Sequence, residues 1–496
     1  MRFEIFDVVI VGAGSAGGVL AARLSEDPSR SVLLLEAGPD FGSFPATQPP
    51  EIADAYNPSA TSYDWGYSGK ALRLGRSLPL YAGRIVGGSS ATNNVMALRG
   101  HPSDYDRWAQ YGCTGWSFQD VLPAFCRLER DEDFDDEWHG TSGPIPVRRY
   151  AELTQVQQAF LDASAITGHT LIADHNAPGA IGAGRLPVNE AAGVRQSTAL
   201  TYLAAARERP NLTIRAGQRV DRIVFSAARA SAVRLAGTGE EIAAGHVMLA
   251  AGAYGSPAIL LRSGIGPAEQ LGELGIPVTQ DLPGVGRNLH DHPLLRLPFE
   301  AHGEPESVLH QTVLTATTDS PRGVRGPDLQ VFPSGISSGG DGLTLTLLVA
   351  LLQPYSRGKL RLSSPDPAAA LRIEPGHFSH PEDLSRLLAG VRLAREIAAT
   401  SPLVDHLADE RWPGAGVTDE RELSAVVLAE VATYHHPVGT CRMGLDHDPK
   451  AVVDETSHVH GVDRLSVVDA SIMPTIPSAN TNLPTLMLAE RMSEYT

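Results

Sequence analysis

The chain has 496 residues, 42% hydrophobic and 20% charged, and its 40 basic and 57 acidic side chains leave a net charge of −17. That length is too great for one small domain and points to two. The acidic balance argues against nucleic acid and against an anionic membrane surface, no apolar run is long enough to insert into a membrane, and the scattered Cys113, Cys126 and Cys441 offer neither a disulfide framework nor a metal-ligand spacing.

The apolar run 6–11 reads as one buried parallel strand. Gly12-Ala13-Gly14-Ser15-Ala16-Gly17 follows, a G-x-G-x-x-G, and then a helix over 15–26. A second apolar run, 32–35, ends at Glu36. Each part has a task. Gly12 permits a tight turn, Gly14 the approach of a pyrophosphate, and Gly17 the packing of helix on strand. The helix N-terminus offers N–H groups to phosphates, and Glu36 can accept from ribose hydroxyls. This is a dinucleotide site, open at this point to NAD or FAD. The chain enters its first strand almost at once, with no signal-like leader, so a cytoplasmic location is expected.

A stretch rich in Pro, Ser and Tyr runs on to about residue 80, long enough to suggest a functional connection. In 83–94, glycines beside hydroxyls and amides let backbone lie against a polar ligand, although an ordinary polar turn has the same composition. Helices are expected over 117–130 with Ser117 as N-cap, over 153–166 and 195–207, and from 256 with Pro257 at its opening. Further helices are expected over 382–400, 420–433 and 483–492. The acidic run 129–137 reads as a solvated surface segment. Strands at 212–215, 220–225, 247–252 and 465–469 continue the first domain, whereas 292–359 alternates in short runs that suggest an antiparallel sheet. The expected fold class is α/β. A Rossmann-like dinucleotide-binding domain (1–155, 207–292, 451–496) is interleaved with an α+β substrate domain on a mainly antiparallel sheet (156–206, 293–450).

These segments together resemble the glucose-methanol-choline (GMC) family of flavin oxidoreductases. Residues 12–17 with Glu36 fit its nucleotide motif. Residues 83–94 and 252–266 are similar to its two signatures, 285–292 to a family loop, and 469–485 to its C-terminal end. Within the family the chain is most similar to bacterial alcohol and choline dehydrogenases and to furfuryl- or aryl-alcohol oxidases. The resemblance implies FAD, with Gly12, Gly14 and Gly17 at the pyrophosphate and Glu36 at the adenosine ribose. It places the Val220 backbone at the adenine, Gly88, Asn93 and Asn94 along the flavin, and Asp469 and Ala470 near the ribityl–phosphate segment. Some members link the flavin covalently through a histidine where this chain has Thr92, so non-covalent FAD is expected.

Alcohol oxidation needs a base for the hydroxyl proton and a group to hold the alkoxide. His436, directly before Pro437-Val438-Gly439-Thr440, matches the family's base, and Asn480 its substrate-oxygen partner, although a buried amide there also suits a structural role. Asn482 can cap the last helix, whose positive end would face the flavin pyrimidine. If 432–436 is extended, Tyr434 shares the face of His436 as a pocket wall and His435 points away. The expected reaction converts a primary alcohol to an aldehyde, with further oxidation to the acid also open, and oxygen or another compound as electron acceptor. Aryl or furan alcohols, choline-like cations and sugar hydroxymethyl groups are candidate substrates, with a slight lean to cations from the net charge. A hydroxynitrile lyase and a flavin photodecarboxylase are the rival readings.

Overall fold

The first apolar run forms the strand Ile5–Val11 in a computed structural model that describes residues 5–56, 62–319, 323, 325–340 and 342–495. Val32–Leu35, wholly buried, pairs with it in parallel. Glu241–Leu249 lies along its other side, also parallel. The outer edge of Glu241–Leu249 is shared. Its start pairs antiparallel with Arg229–Leu235, and its end pairs in parallel with Leu465–Val467, brought from the far end of the chain. Leu212–Arg215 and Val220–Ser226 complete the sheet at its two margins. Gly12, Glu36, Ala250 and Val468 thus leave parallel strands at one carboxyl edge, where open sheets of this kind bind ligands.

The second sheet is antiparallel. Its order is Leu407–Glu410, Pro293–Ala301, Gly342–Leu351, Leu329–Pro333, Thr312–Ala316 and Ala183–Arg185. Side chains alternate between its faces. Leu295, Leu297, Val331, Leu347 and Val349 join a core shared with the helix Pro381–Ala398. That helix comes close at Gly390, where a Cβ would lie 2.7 Å from a methyl of Val349. Leu294, Phe332, Leu348 and Ala350 turn the other way and cluster with Met96, Tyr434 and Ala479. The fold is therefore α/β, with a mixed Rossmann-like sheet and an antiparallel sheet built from interleaved segments.

Several local expectations shift. The helix expected from residue 256 starts at Gly252 and carries Pro257 inside it. Proline has no N–H for the carbonyl four residues back, and the Thr440 hydroxyl donates to that Ala253 carbonyl instead, at 2.6 Å. The Asp469 carboxylate accepts from Gly252 N and from the Ser256 hydroxyl and so fixes the early start. The helix expected over 195–207 shrinks to Tyr202–Ala206. Arg195 sits instead in the short strand Val194–Arg195, its buried guanidinium donating to the carbonyls of Asn93 and Ile52. The helix expected to reach 433 is Glu420–Glu430, followed by the strand Ala432–Thr433. The acidic run is not uniformly solvated. Glu129–Asp131 is a strand, so Glu129 and Asp131 turn inward. There they meet Arg99, Arg149 and His139, while residues 132, 133 and 135–137 remain exposed.

Candidate active site

The glycine turn adopts the conformation that its sequence requires. Gly12 has φ +103°, and a Cβ on Gly17 would stand 1.8 Å from the Gly12 carbonyl oxygen. Gly14 is roomier, with Gly88 Cα 3.7 Å from its Cβ position as the nearest atom. Gly87 N donates to Ala13 O at 2.8 Å, so the 83–94 loop lies on the turn. The helix Ser15–Leu24 begins without a side-chain cap. Its first N–H groups are left for an anion. Glu36 is buried at the end of its strand and accepts from Ala13 N at 2.9 Å and Gly38 N at 2.8 Å. Burial raises its carboxyl above the usual range despite those bonds. Each oxygen still has a lone pair for a ribose hydroxyl.

Asn93 Oδ1 accepts from Val95 N, and Asn94 Oδ1 is buried without a partner. Val220 opens its strand opposite Leu235. Ala470 O accepts from Gly439 N and so joins the 469–472 turn to the segment after His436. Asn482 does not cap the final helix. Thr481 holds the cap position without a side-chain bond, and Asn482 is the first residue of Asn482–Met492. Its Oδ1 instead accepts from the Ser15 hydroxyl at 2.8 Å, tying together the starts of the first and last helices. Two uncapped helix starts, an open glycine turn and an orphaned Asn94 carbonyl oxygen fit a bound flavin dinucleotide.

His436 is placed by strand register. Pro293 pairs with Thr433, and further on His290 pairs with Val438. Three steps on one strand therefore face five on the other, and the surplus bulges at 434–436. Extended geometry ends at Thr433, and His435 takes a left-handed φ of +63°. The strand alternation expected here is thus absent, yet the bulge brings the Tyr434 and His436 rings together, 4.3 Å between centroids. His435 turns away onto Tyr81, which is 41% exposed. Asp291 braces the bulge. Its carboxylate accepts from His436 N at 2.9 Å and from the Thr433 hydroxyl, and burial raises it to about 7.

Asn480 Nδ2 lies 3.3 Å from His436 Nε2 and 3.4 Å from Met96 Sδ. The Tyr434 hydroxyl also reaches Met96 Sδ, at 3.3 Å, and its ring stacks on Phe332. On its other side His436 Nδ1 is 3.0 Å from His292 Nδ1. Burial, with neighbouring His292 and His435, holds His436 well below the usual imidazole value, so it is neutral. Met96, Phe332, Asp291 and His292 carry no sequence signal of their own beyond the 285–292 loop that contains the last two.

A nucleotide-binding parallel sheet set against a second sheet, with a neutral buried histidine beside an amide, is the build of a dinucleotide-dependent oxidoreductase. The sequence profiles of the N- and C-terminal parts of GMC oxidoreductases match residues 6–294 and 354–489. A GMC-type oxidoreductase of Rhodococcus erythropolis is 38% identical, over 98% of this chain and 97% of that protein. An oxygen-dependent choline dehydrogenase of Photobacterium profundum is 34% identical, over 99% and 92%. The crystal structure of pyridoxine 4-oxidase from Mesorbium loti superposes with a TM-score of 0.92 at 34% identity, covering 99% of each chain. The chain belongs to the GMC oxidoreductase family and is an FAD-dependent alcohol oxidoreductase. Among the described residues no helix is long and apolar enough to cross a membrane.

Proposed function

We propose that the enzyme oxidises an uncharged aromatic or furan-type primary alcohol to its aldehyde. His436 is the base, Asn480 holds the alkoxide, and FAD is bound without a covalent link. The observation that carries this reading is the 3.3 Å approach of His436 Nε2 and Asn480 Nδ2, which lets one substrate oxygen lie within reach of both. When bound, FAD would supply the hydride acceptor for the carbinol carbon, with oxygen or another compound as the final electron acceptor. Gly12, Gly14 and Gly17 would hold its pyrophosphate and Glu36 its ribose, and the open start of Asn482–Met492 would favour negative charge on the pyrimidine side. Met96, Phe332 and Tyr434 give the pocket an apolar and aromatic wall. That wall favours aryl alcohols over the cations suggested by net charge, and the likeness to a pyridoxine oxidase runs the same way. Thr92 cannot form the histidyl flavin link, which supports non-covalent FAD. The free cysteines suit a reducing compartment, and we place the protein in the cytoplasm.

The test is anaerobic mixing of holoenzyme with benzyl alcohol, furfuryl alcohol and choline. Bleaching of the flavin by the first two, slowed on the order of a hundredfold in His436→Ala with FAD retained, is expected. Cyanohydrin cleavage or light-driven decarboxylation without bleaching would overturn the reading. Acid precipitation should leave the yellow flavin in the supernatant.

A further inference from the structure

The loop before Pro293 holds two buried side chains that the reaction as stated does not use. Asp291 is bonded to the backbone and the Thr433 hydroxyl, so its role is to brace the bulge. His292 is different, because it meets the base itself, ring nitrogen to ring nitrogen.

Two nitrogens 3.0 Å apart form a hydrogen bond only if one carries a proton and the other a lone pair. Which one carries it follows from the far side of His436. Asn480 Nδ2, 3.3 Å from His436 Nε2, can only donate, so in that hydrogen bond Nε2 accepts with its lone pair. His436 Nε2 is therefore the bare nitrogen, and its ring proton is on Nδ1. That proton points at His292 Nδ1, which must accept it, so His292 carries its own proton on Nε2. The backbone carbonyls of Leu352 and Pro477 favour a proton on the His292 ring, although its buried Nε2 makes no hydrogen bond of ordinary geometry.

Resting on the reading of His436 as base, we propose that His292 is a positioning residue that locks His436 in the Nδ1–H tautomer. The lone pair of Nε2 then faces the substrate hydroxyl. When the substrate O–H proton moves to Nε2, the ring becomes imidazolium and its Nδ1–H stays bonded to His292 Nδ1. No proton leaves the pair in that step. The arrangement does with a neutral ring what a carboxylate does for the histidine of a hydrolase triad. Burial suits it: His292 is held at about 3, so it stays a neutral acceptor through the working range. The nearby titratable groups are Asp291, Tyr434, His435 and His377, and among the described residues none of them hydrogen-bonds His436 Nδ1.

The test uses holoenzyme labelled with ring-15N histidine, His436→Ala serving to assign the His436 signals. The expected spectrum shows a protonated Nδ1 and a bare Nε2 at His436, and a protonated Nε2 at His292. A His436 ring protonated at Nε2 in the wild type would overturn the proposal without any kinetics. In His292→Leu the His436 signals should move toward a tautomer mixture. Flavin reduction at saturating alcohol should slow about tenfold or more with little change in substrate Kd. His292→Asn places an amide oxygen where Nδ1 was and should restore most of both. Unchanged His436 signals in His292→Leu, or no rescue by Asn, would also overturn it. If no alcohol bleaches any variant, the oxidation reading fails, while the tautomer is still read from the spectrum.

Discussion

Adjacent histidines in this chain have opposite surroundings, and one backbone angle separates them. The left-handed turn at His435 sends its ring to the partly exposed Tyr81 and leaves Tyr434 and His436 facing each other. A non-glycine residue at positive φ is held there by its surroundings, and here these are the Asp291 bonds to Thr433 and to His436 N. Tyr434→Val removes the ring that stacks on Phe332 and should change the ranking of bulky against small alcohols in flavin-reduction assays. His435→Phe should leave that ranking and most of the rate intact. Collapse of reduction in His435→Phe, alongside a mild effect in His436→Ala, would show the base to be misassigned.

The glycine turn separates two kinds of requirement on a single element. A Cβ on Gly17 would strike the Gly12 carbonyl, which is backbone and cannot give way. Gly17→Ala should therefore lower the stability of the apoprotein by about 1–3 kcal/mol, the usual scale of overpacking, and lose FAD as well. A Cβ on Gly14 meets nothing nearer than 3.7 Å. Gly14→Ala should leave apoprotein melting unchanged and weaken FAD alone, because only the pyrophosphate needs that space. Thermal melts of both apoproteins, with flavin titration by fluorescence quenching, separate the two. Equal melting losses in both variants would contradict this division. The other end of the site depends on helices in the same way, since the Ser15–Asn482 bond sets where the first and last helices begin relative to one another.

At the scale of the whole molecule, buried histidines should set the acid limit of the fold. Burial holds His175, His246, His310, His377 and His435 at about 4, against 6.5 when unfolded, and lowers His290 and His436 as well. Below pH 6.5 the unfolded chain takes up protons that the native one refuses. Stability is thus fully present above 6.5 and lost as pH falls toward 4. Asp291, raised to about 7, and Glu36, Asp104 and Asp469, raised by burial, act the opposite way, but the histidines outnumber them. His139 is buried too, yet the hydrogen bonds its ring donates to Asp131, Asp174 and Glu129 raise it to about 11, so its contribution is full below pH 6.5 and fades as pH rises from there toward 11. The melting temperature of the holoenzyme should decline only gently from pH 7 to 8, through His139, and fall steeply between 6.5 and 4. A level profile through that lower range would refute this account.

The unit from Ile5 to Glu36 was legible as strand, glycine turn, helix and strand because segments in immediate succession set their own geometry through φ preferences and apolar period. The alternation after residue 292 likewise announced an antiparallel sheet, since each strand carries its own two-sided pattern. What remained hidden depends on partners distant in sequence. The start of the Gly252–Arg262 helix depends on Asp469, and the burial of Glu129 on Arg99. His292 and His436 stand 144 residues apart and meet only because Pro293 pairs with Thr433. Local sequence carries backbone preference and periodicity, whereas register between strands is settled by the packing of the whole chain. The neighbour of the candidate base was therefore decided by the tertiary structure alone.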